Sequence, residues 1–325
     1  MVADLLSDGG DLPLPLRRDL EKTDSRTFAE LRTAICGLGL PFCHYENPGR
    51  LARNASQHDR DVVLSVYGGA GSRSRMALVP AVCEACGLSY VGPDAYGRII
   101  CQDKEVSKAL ALEAGLRTPS HRIVRSERDL DRIADFPLPC VAKPLWEGSS
   151  IGIGPDNLIS ARQQGEHVLR TLLAHLRQPI ILEAFAPGRE VSWCFIDSPT
   201  TDLRSFAELV WNHEEDYFDR HLYDAVHKSK ADEVPGIKSV RVLPDALSTD
   251  DALALERLLD LVGPLGYGRI DGKLHNGTFV FLEITPDAWL GPTGTFASSF
   301  TQRGLSFQDV IAHVLLSAWR DPQRR

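Results

Sequence analysis

The chain has 325 residues, of which 43% are hydrophobic and 25% charged, and its formal net charge is −8. This length allows two or three domains with buried cores, and the negative charge argues against nucleic acid or an anionic membrane surface as a partner. No run approaches the roughly 18 apolar residues of a membrane-spanning helix, and no basic stretch precedes an apolar one at the N-terminus. We therefore expect a cytoplasmic protein that acts on small molecules.

The seven cysteines show no disulfide-scaffold spacing, which favours reduced thiols. Cys83 and Cys86 form a Cys-x-x-Cys pair, a spacing that also occurs in redox and zinc sites. A zinc site needs a second ligand pair at a suitable spacing, and none follows. Because the pair lies in a helix-like stretch that ends at Gly87, packed or idle thiols are the favoured interpretation.

Strands and helices alternate in the first third of the chain. The pattern predicts helices at residues 27–38 and 79–86, and strands at residues 2–6, 61–67 and 89–91. Apolar strands alternating with helices are typical of a parallel sheet with both faces covered. Gly68, Gly69 and Gly71 follow the second strand, where open α/β sheets place ligands; an ordinary turn is the alternative.

The remaining two-thirds contain more strands. The pattern predicts helices at residues 105–115, 160–176 and 250–265, and strands at residues 122–124, 140–143, 180–183, 191–196, 206–211, 268–273 and 279–284. Asn276-Gly277 is a strong hairpin signal. Residues 212–231 are charged, aromatic and without a clear period, so we expect a mobile loop there. Its histidines, His213, His221 and His227, have no fixed metal spacing.

A loop rich in glycine and serine, residues 147–154, follows the strand that ends at Lys143. Glycines let a backbone approach a polyphosphate closely, and successive N–H groups with the hydroxyls of Ser149 and Ser150 can cradle it. Lys143 would add a point charge. An ordinary turn is the alternative, and no Gly-Lys-Ser/Thr sequence closes the loop as in a Walker A motif.

Four further motifs occur in a fixed order: Asp103-Lys104, Glu183-Ala184-Phe185-Ala186-Pro187-Gly188-Arg189-Glu190, Arg269-Ile270-Asp271, and Phe281-Leu282-Glu283-Ile284-Thr285. Together with the glycine-rich loop they resemble the ATP-grasp ligases, and most closely the D-alanine–D-alanine ligases, from about residue 90 to residue 285. The resemblance implies an α/β protein with a Rossmann-like (pre-ATP-grasp) domain at residues 1–104. A two-subdomain ATP-grasp fold would follow, with a small subdomain at residues 105–180 and a large one, carrying a metal site, at residues 181–325.

The resemblance also implies ATP and Mg²⁺ as cofactors and gives each motif a role. The expected nucleotide contacts are Lys104 and Lys143 at the phosphates, Ser149 and Ser150 in a flexible lid over them, backbone groups of Glu183, Ala184, Phe185 and Ala186 at the adenine, and Glu190 at the ribose. For Glu190, a surface carboxylate with no ligand is the alternative.

The expected catalytic residues are Arg269, Ser149 and Lys228. Arg269 would stabilise negative charge on the acyl-phosphate and tetrahedral intermediates, and Lys228 would reach the γ-phosphate. A solvated loop position is the alternative for Lys228. Asp271 and Glu283 would hold Mg²⁺. Thr285 is the third expected metal ligand. It stands where the family usually has an asparagine, and its hydroxyl would bind Mg²⁺ more weakly.

A metal site at Asp271 and Glu283 requires that both side chains lie on the same face of the sheet. Directly opposed residues of two antiparallel strands share a face, so the register of the strands decides whether the site can form. A two-residue Asn276-Gly277 turn alone would oppose Asp271 to Leu282 and put Glu283 on the other face. The metal site therefore requires an odd-length loop or a β-bulge between the two strands.

Several positions depart from the family pattern for binding D-alanine. Ser229 stands where a tyrosine usually follows the loop lysine, and the N-terminal Gly-Gly/Ser/Glu signature is absent, Asp8-Gly9-Gly10 being a poor substitute. Trp289 stands where a glycine is usual, and with Gly291 and Gly294 it is expected to line the substrate site. A core aromatic is the alternative for Trp289.

We therefore expect an ATP- and Mg²⁺-dependent ligase that joins an amino-acid carboxylate to an amine through an acyl phosphate, in specialised metabolism. Its partners would be amino acids, and the family resemblance suggests a homodimer. The alternatives are a true D-alanine–D-alanine ligase of cell-wall synthesis and a nucleotide-binding, non-catalytic relative. The three changes above argue against D-alanyl-D-alanine as the product.

Overall fold

A computed structural model describes residues 1–6, 13–69, 71–212, 214, 216–234 and 236–319. Asp8, Gly9, Gly10 and His213, which the sequence analysis considered, lie outside the described residues. Within these ranges the fold is mixed α/β, with a two-stranded, a four-stranded and a five-stranded sheet.

The N-terminal part contains more helix than the sequence pattern predicts. Its elements are α1 (Ser25–Gly37), α2 (Pro48–Asn54), β1 (Val62–Val63), α3 (Leu78–Cys86), β2 (Ser89–Tyr90) and α4 (Ala95–Gln102). β1 and β2 pair in parallel, and isolated parallel bridges join Val2 to Tyr45 and Ser65. The parallel pairing agrees with the sequence pattern. The strands are short, however, and a Rossmann-like domain remains a prediction.

The middle of the chain forms a four-stranded antiparallel sheet covered by a helix. Its elements are α5 (Lys104–Glu113), β3 (His121–Val124), β4 (Cys140–Pro144), β5 (Leu158–Ile159), α6 (Arg162–Leu176) and β6 (Ile180–Ala184). The strand order is β3-β6-β4-β5. Asp103 caps α5 by accepting hydrogen bonds from Glu105 N and Val106 N, which fixes Lys104 as the first residue of that helix.

The last part forms a five-stranded antiparallel sheet in the order β11-β10-β7-β8-β9. Its elements are β7 (Arg189–Asp197), β8 (Asp202–Trp211), α7 (Ala225–Glu233), β9 (Lys238–Val242), α8 (Thr249–Val262), β10 (Tyr267–His275), β11 (Thr278–Thr285), α9 (Thr295–Thr301) and α10 (Phe307–Leu316). The loop expected at residues 212–231 is wrong in part, because it contains the 3-10 turn Tyr217–Asp219 and most of α7. Phe218 in this turn is buried against Trp211 and Ile237.

The hydrophobic cores cross the expected domain boundary at residue 104. One core joins Leu31 and Leu64 of the N-terminal part to Tyr267, Phe296 and Val310 of the C-terminal part. A second core, which includes Val2, Leu51 and Val79, lies wholly within the first 104 residues. The division into three domains remains a prediction.

Each of the seven cysteines lies in the described ranges and is a free thiol. Burial raises the pKa of Cys83 to about 12, which leaves its thiol protonated and unreactive and agrees with a packed cysteine. Cys86, by contrast, is exposed. In the described part of the chain, no helix is long and apolar enough to cross a bilayer.

Candidate active site

Asp271 and Glu283 are directly opposed on β10 and β11. The hairpin has the two-residue turn, since His275 pairs with Thr278 and both Asn276 and Gly277 have positive φ angles of 49° and 75°. A register shift between Asp271 and Gly272 restores the opposition. The structure thus contains the bulge that the sequence argument required. Gly272 is needed there, because a Cβ would lie 2.4 Å from the Phe279 ring.

Four cationic side chains surround Glu283. Burial alone would raise its pKa, but the charges of Lys104, Lys143, Lys228 and Arg269 together hold the pKa below its usual value. Lys104 Nζ lies 3.4 Å from Glu283 Oε2, and the Glu283 side chain is 35% exposed. The predicted phosphate-binding, metal-binding and catalytic residues therefore meet at one place.

The Asp271 carboxylate is held by three donors. Ser192 Oγ donates to Oδ1 at 2.6 Å, while Arg269 Nε and Thr285 Oγ1 donate to Oδ2 at 2.9 and 3.0 Å. Burial and the nearby Glu283 raise the pKa of Asp271, and Arg269 opposes this. In this arrangement the Thr285 hydroxyl orients Asp271, and its role as a metal ligand remains a prediction.

Glu183 bridges two lysines at the end of β6. Its carboxylate lies 2.8 Å from Lys108 Nζ and 2.7 Å from Lys143 Nζ, and the residue is 1% exposed. Burial alone would raise the pKa of Glu183, but the two ammonium groups lower it to about 2. The side chain thus fixes the position of Lys143, a role that the sequence analysis did not assign.

Two backbone amides at the end of β6 already have hydrogen-bond partners within the protein. The N–H groups of Ala184 and Phe185 donate to Ser120 O and Pro139 O at 2.9 and 3.0 Å. These two amides are therefore satisfied within the protein. An adenine base would have to use other groups of the segment 183–186, and that assignment remains a prediction.

The glycine-rich loop is held between two other segments. Ser149 and Ser150 both have positive φ angles, 48° and 60°, which few non-glycine residues adopt. Ser150 Oγ donates to Tyr223 O at 3.2 Å, and Gly148 N donates to Glu21 Oε1 at 2.6 Å. The Glu21 carboxylate also pairs with Arg75, which contacts Glu147 at 2.6 Å. An acidic residue of the N-terminal part, Glu21, therefore reaches this loop although the N-terminal Gly-Gly/Ser/Glu signature is absent.

The glycines after β1 have a structural use. Gly68 N and Gly69 N donate to the Asp4 carboxylate at 2.8 and 3.0 Å. These two amides serve the ordinary turn that was the alternative to a ligand site.

Lys228 lies in α7, with its Nζ 5.6 Å from the centre of the Tyr223 ring. Desolvation and then the charge of Arg269 lower its pKa to about 8, while Glu283 and Asp271 oppose the shift. Ala225 N, at the start of the same helix, donates to Ile153 O at 3.1 Å. The helix therefore brings Lys228 and the glycine-rich loop to the same side of the site.

The segment after β11 is built around Trp289, whose indole is 40% exposed. A Cβ at Gly291 or Gly294 would lie 2.3 or 2.5 Å from this ring, so both glycines accommodate the indole. Asp287 in the same segment is paired with Arg98 of α4 at 2.7 Å. Trp289 is thus a partly exposed wall and not a core residue. Substrate contacts of these residues remain a prediction.

The side chains present fit a magnesium–nucleotide complex. The cations around Glu283 outnumber the two carboxylates, which suits a polyphosphate. Within the described ranges, no group of three or more His, Cys, Asp or Glu side chains could hold a metal by itself. A metal at Asp271 and Glu283 would therefore complete its shell with phosphate oxygens and water, as Mg²⁺ prefers.

Comparisons with known proteins agree with this site. The family model "D-ala D-ala ligase C-terminus" matches residues 113–316, which is more than half of the chain. The chain belongs to the D-alanine–D-alanine ligase family. It is an ATP-dependent carboxylate–amine ligase, with ATP and Mg²⁺ as its cofactors.

Individual relatives are similar in sequence, and solved structures are similar in fold. The D-alanine–D-alanine ligase of Thermotoga sp. (strain RQ2) is 26% identical over 266 residues, covering 80% of each chain. That of Cupriavidus metallidurans is 27% identical over 271 residues, covering 82% of this chain and 78% of its own. Among solved structures, the Bacillus anthracis ligase complexed with ATP has a TM-score of 0.69 at 15% identity and covers 98% of this chain and 96% of its own. The VanG D-Ala:D-Ser ligase of Enterococcus faecalis has a TM-score of 0.61 at 20% identity, covering 79% and 73%.

Some residues of this ligase's site escaped the sequence analysis although a signal existed. Lys108 lies one helical turn after Lys104, and Ser192 and Lys273 lie two residues after Glu190 and Asp271 on their strands. Strand and helix periodicity could have placed all three beside the predicted residues. Glu21 and Arg75 meet only through the tertiary fold and carry no local signal.

Proposed function

We propose that this ligase joins two D-amino acids in a peptide bond, with D-alanyl-D-alanine as the first expected product. The observation that carries the proposal is the opposed pair of Asp271 and Glu283 within a ring of cations, on a chain whose curated relatives are D-alanine–D-alanine ligases. These relatives favour the wall-synthesis alternative over specialised metabolism.

The charged residues of the site would have different roles in the reaction. ATP supplies the phosphoryl group, and Mg²⁺ offsets its negative charge. Lys104 and Lys143 would bind the phosphates, and Asp271 and Glu283 would hold the metal. The substrate carboxylate would accept the γ-phosphoryl group with release of ADP, and the amine would then displace phosphate from the acyl phosphate. Arg269 would stabilise the negative charge on the acyl oxygen in the tetrahedral intermediate of that attack.

Glu21 supports D-alanine as a substrate of this ligase. The sequence argues against D-alanine partly because the N-terminal Gly-Gly/Ser/Glu signature, with its acidic residue, is absent. Glu21 now supplies a carboxylate beside Gly148, next to Ser149. One of the three arguments against D-alanyl-D-alanine is therefore weakened.

A second candidate product is a dipeptide whose acceptor is larger than alanine. Trp289 favours this product, because its partly exposed indole covers Gly291 and Gly294 and presents an apolar surface that a larger acceptor side chain could contact. The Asp287–Arg98 pair holds this segment in place.

Product analysis decides between the candidates. The enzyme is incubated with ATP, Mg²⁺ and D-alanine alone, and in parallel with D-alanine plus each of a panel of larger amino acids, and the products are identified by mass spectrometry. Efficient D-alanyl-D-alanine formation supports the first candidate. Mixed dipeptides with no D-alanyl-D-alanine support the second.

Three finer points belong to the proposal. We propose the three-part division at residues 104 and 180, with a Rossmann-like first domain, as the family resemblance implies. A cytoplasmic location is supported by the free thiols. A homodimer remains the expected assembly.

A further inference from the structure

Lys273 is a buried lysine whose ammonium group is fully engaged. The residue is 4% exposed. Its Nζ lies 2.8 Å from Glu190 Oε2 and donates to Phe218 O at 3.0 Å and Gly188 O at 3.2 Å. An ammonium group has three donors, so these acceptors match its full capacity. A buried charge is tolerated when it is paired and hydrogen-bonded in this way.

The strand register places Lys273 on the face that carries the active site. Lys273 of β10 is directly opposite Glu190 of β7, and Asp271 is opposite Ser192 two residues along. Residues two apart on a strand share a face, so Lys273 stands beside the metal-site carboxylate. Gly188 makes the close approach of the strands feasible, because a Cβ there would lie 2.7 Å from Leu274 O.

The three partners of Lys273 come from three different parts of the site. Gly188 lies two residues after the segment 183–186 that is expected to contact adenine, and Glu190 is the carboxylate expected to bind the ribose. Phe218 belongs to the 3-10 turn that precedes α7, the helix of Lys228. Lys273 thus links the ribose side of the site to the segment that carries Lys228.

We propose that Lys273 is a positioning residue for nucleotide recognition. By binding Oε2, it fixes the Glu190 carboxylate and leaves Oε1 to accept hydrogen bonds from the ribose hydroxyls. Through Phe218 O it also anchors the turn before α7 to the same carboxylate. This inference rests on the proposed function, and it assigns to Lys273 a part in selecting the sugar.

Sugar selectivity separates this role from a merely structural one. We would measure by calorimetry, with Mg²⁺ present, the Kd values for ATP, 2′-deoxyATP and 3′-deoxyATP. Since a hydrogen bond to a charged group is lost, the wild type should prefer ATP by about tenfold over at least one deoxy analogue. Glu190→Gln and Lys273→Met should each reduce this preference to about twofold or less, and the double variant should reduce it no further.

A matched control removes a different ion pair from the same sheet. Arg204 of β8 pairs with Asp197 and Glu256 and lies outside the nucleotide site. Arg204→Met should retain the full preference for ATP. Full preference in Lys273→Met together with a loss in Glu190→Gln would overturn the inference. Full preference in Glu190→Gln would overturn it as well, because Lys273 is argued to act through that carboxylate.

A second measurement does not depend on the folding of Lys273→Met. Glu190→Gln removes the negative charge that holds the Lys273 ammonium group in place beside Phe218 O. The amides of residues 217–220 should therefore exchange hydrogen several-fold faster in this variant without nucleotide. Unchanged exchange there would contradict the proposed link. Failure of the wild type to bind any of the three nucleotides would instead refute the proposed function itself.

Discussion

Asp271 and Glu283 face each other across a hairpin whose two-residue turn alone would have separated them. The bulge beside Gly272 adds the one residue that brings both carboxylates to the same face. A bulge next to a functional group is a common means of re-aiming a side chain. Here it brings both carboxylates to the face on which they can share a metal.

The first prediction concerns this pair. Asp271→Asn and Glu283→Gln should each lower kcat by about 100-fold and raise the Mg²⁺ concentration needed for half-maximal activity, because each removes a charged ligand. Magnesium titrations of ADP release provide the measurement. Asp135→Asn, which breaks an exposed ion pair with Arg122, should behave as the wild type. An unchanged magnesium requirement in both site variants would refute the metal site.

The second prediction concerns pH and the free energy of unfolding. The pKa of Glu183 is about 2 in the folded protein, below its ordinary value of 4.5, so its ionised form favours folding. The contribution is therefore complete above about pH 5 and is lost as the pH falls towards 2, and it amounts to about 3 kcal/mol. Glu183→Gln should thus be less stable than the wild type at pH 7, and the difference should shrink on acidification.

Urea unfolding at several pH values tests this. Glu127→Gln, which breaks an exposed pair with Arg170, serves as the control and should change little at any pH. A stability difference for Glu183→Gln that stays constant between pH 7 and pH 3 would show that the carboxylate is not the source of the effect.

The third prediction concerns the segment that carries Lys228. Residues 216–234 contact the glycine-rich loop through the pairs Ser150–Tyr223 and Ala225–Ile153. Binding of ATP should therefore slow hydrogen exchange in this segment and in residues 148–154 together, as expected for a closing lid. Equal exchange with and without nucleotide and substrate would count against a lid.

The fourth prediction concerns the acceptor. Trp289→Ala removes an exposed wall without touching the phosphate site, so the KM for the second amino acid should change by about tenfold or more while the Kd for ATP stays the same. Trp319→Ala, at another exposed tryptophan, is the control. An equal effect of both substitutions on the acceptor KM would remove Trp289 from the substrate site.

Much of this fold follows from local pattern. Helices with clear stops, such as α3 ending at Gly87, and the Asn276-Gly277 hairpin were predicted because short-range rules determine them. The helix α7 was missed because it has no apolar period; its surroundings are held by Phe218 packing and by contacts with the glycine-rich loop. Those interactions are tertiary and leave no trace in the local sequence.

The site was predictable to the extent that its residues lie in recognisable motifs. Lys104, Lys143, Arg269, Asp271 and Glu283 were identified in this way, and the structure brings them together. The residues that hold them were not identified. Glu183 was assigned to the adenine segment, yet it fixes Lys143, because the partner of a buried charge is chosen by strand order and not by sequence distance.

The most direct test of the account is ADP release by the purified protein with ATP, Mg²⁺ and D-alanine or a panel of other amino acids. We predict ADP release that requires both Mg²⁺ and an amino acid, and a Lys143→Ala variant whose kcat is about 100-fold lower or worse, since a preorganised phosphate contact is lost. Absence of amino-acid-dependent ADP release across the panel, or normal turnover in Lys143→Ala, would contradict a ligase that works through this site.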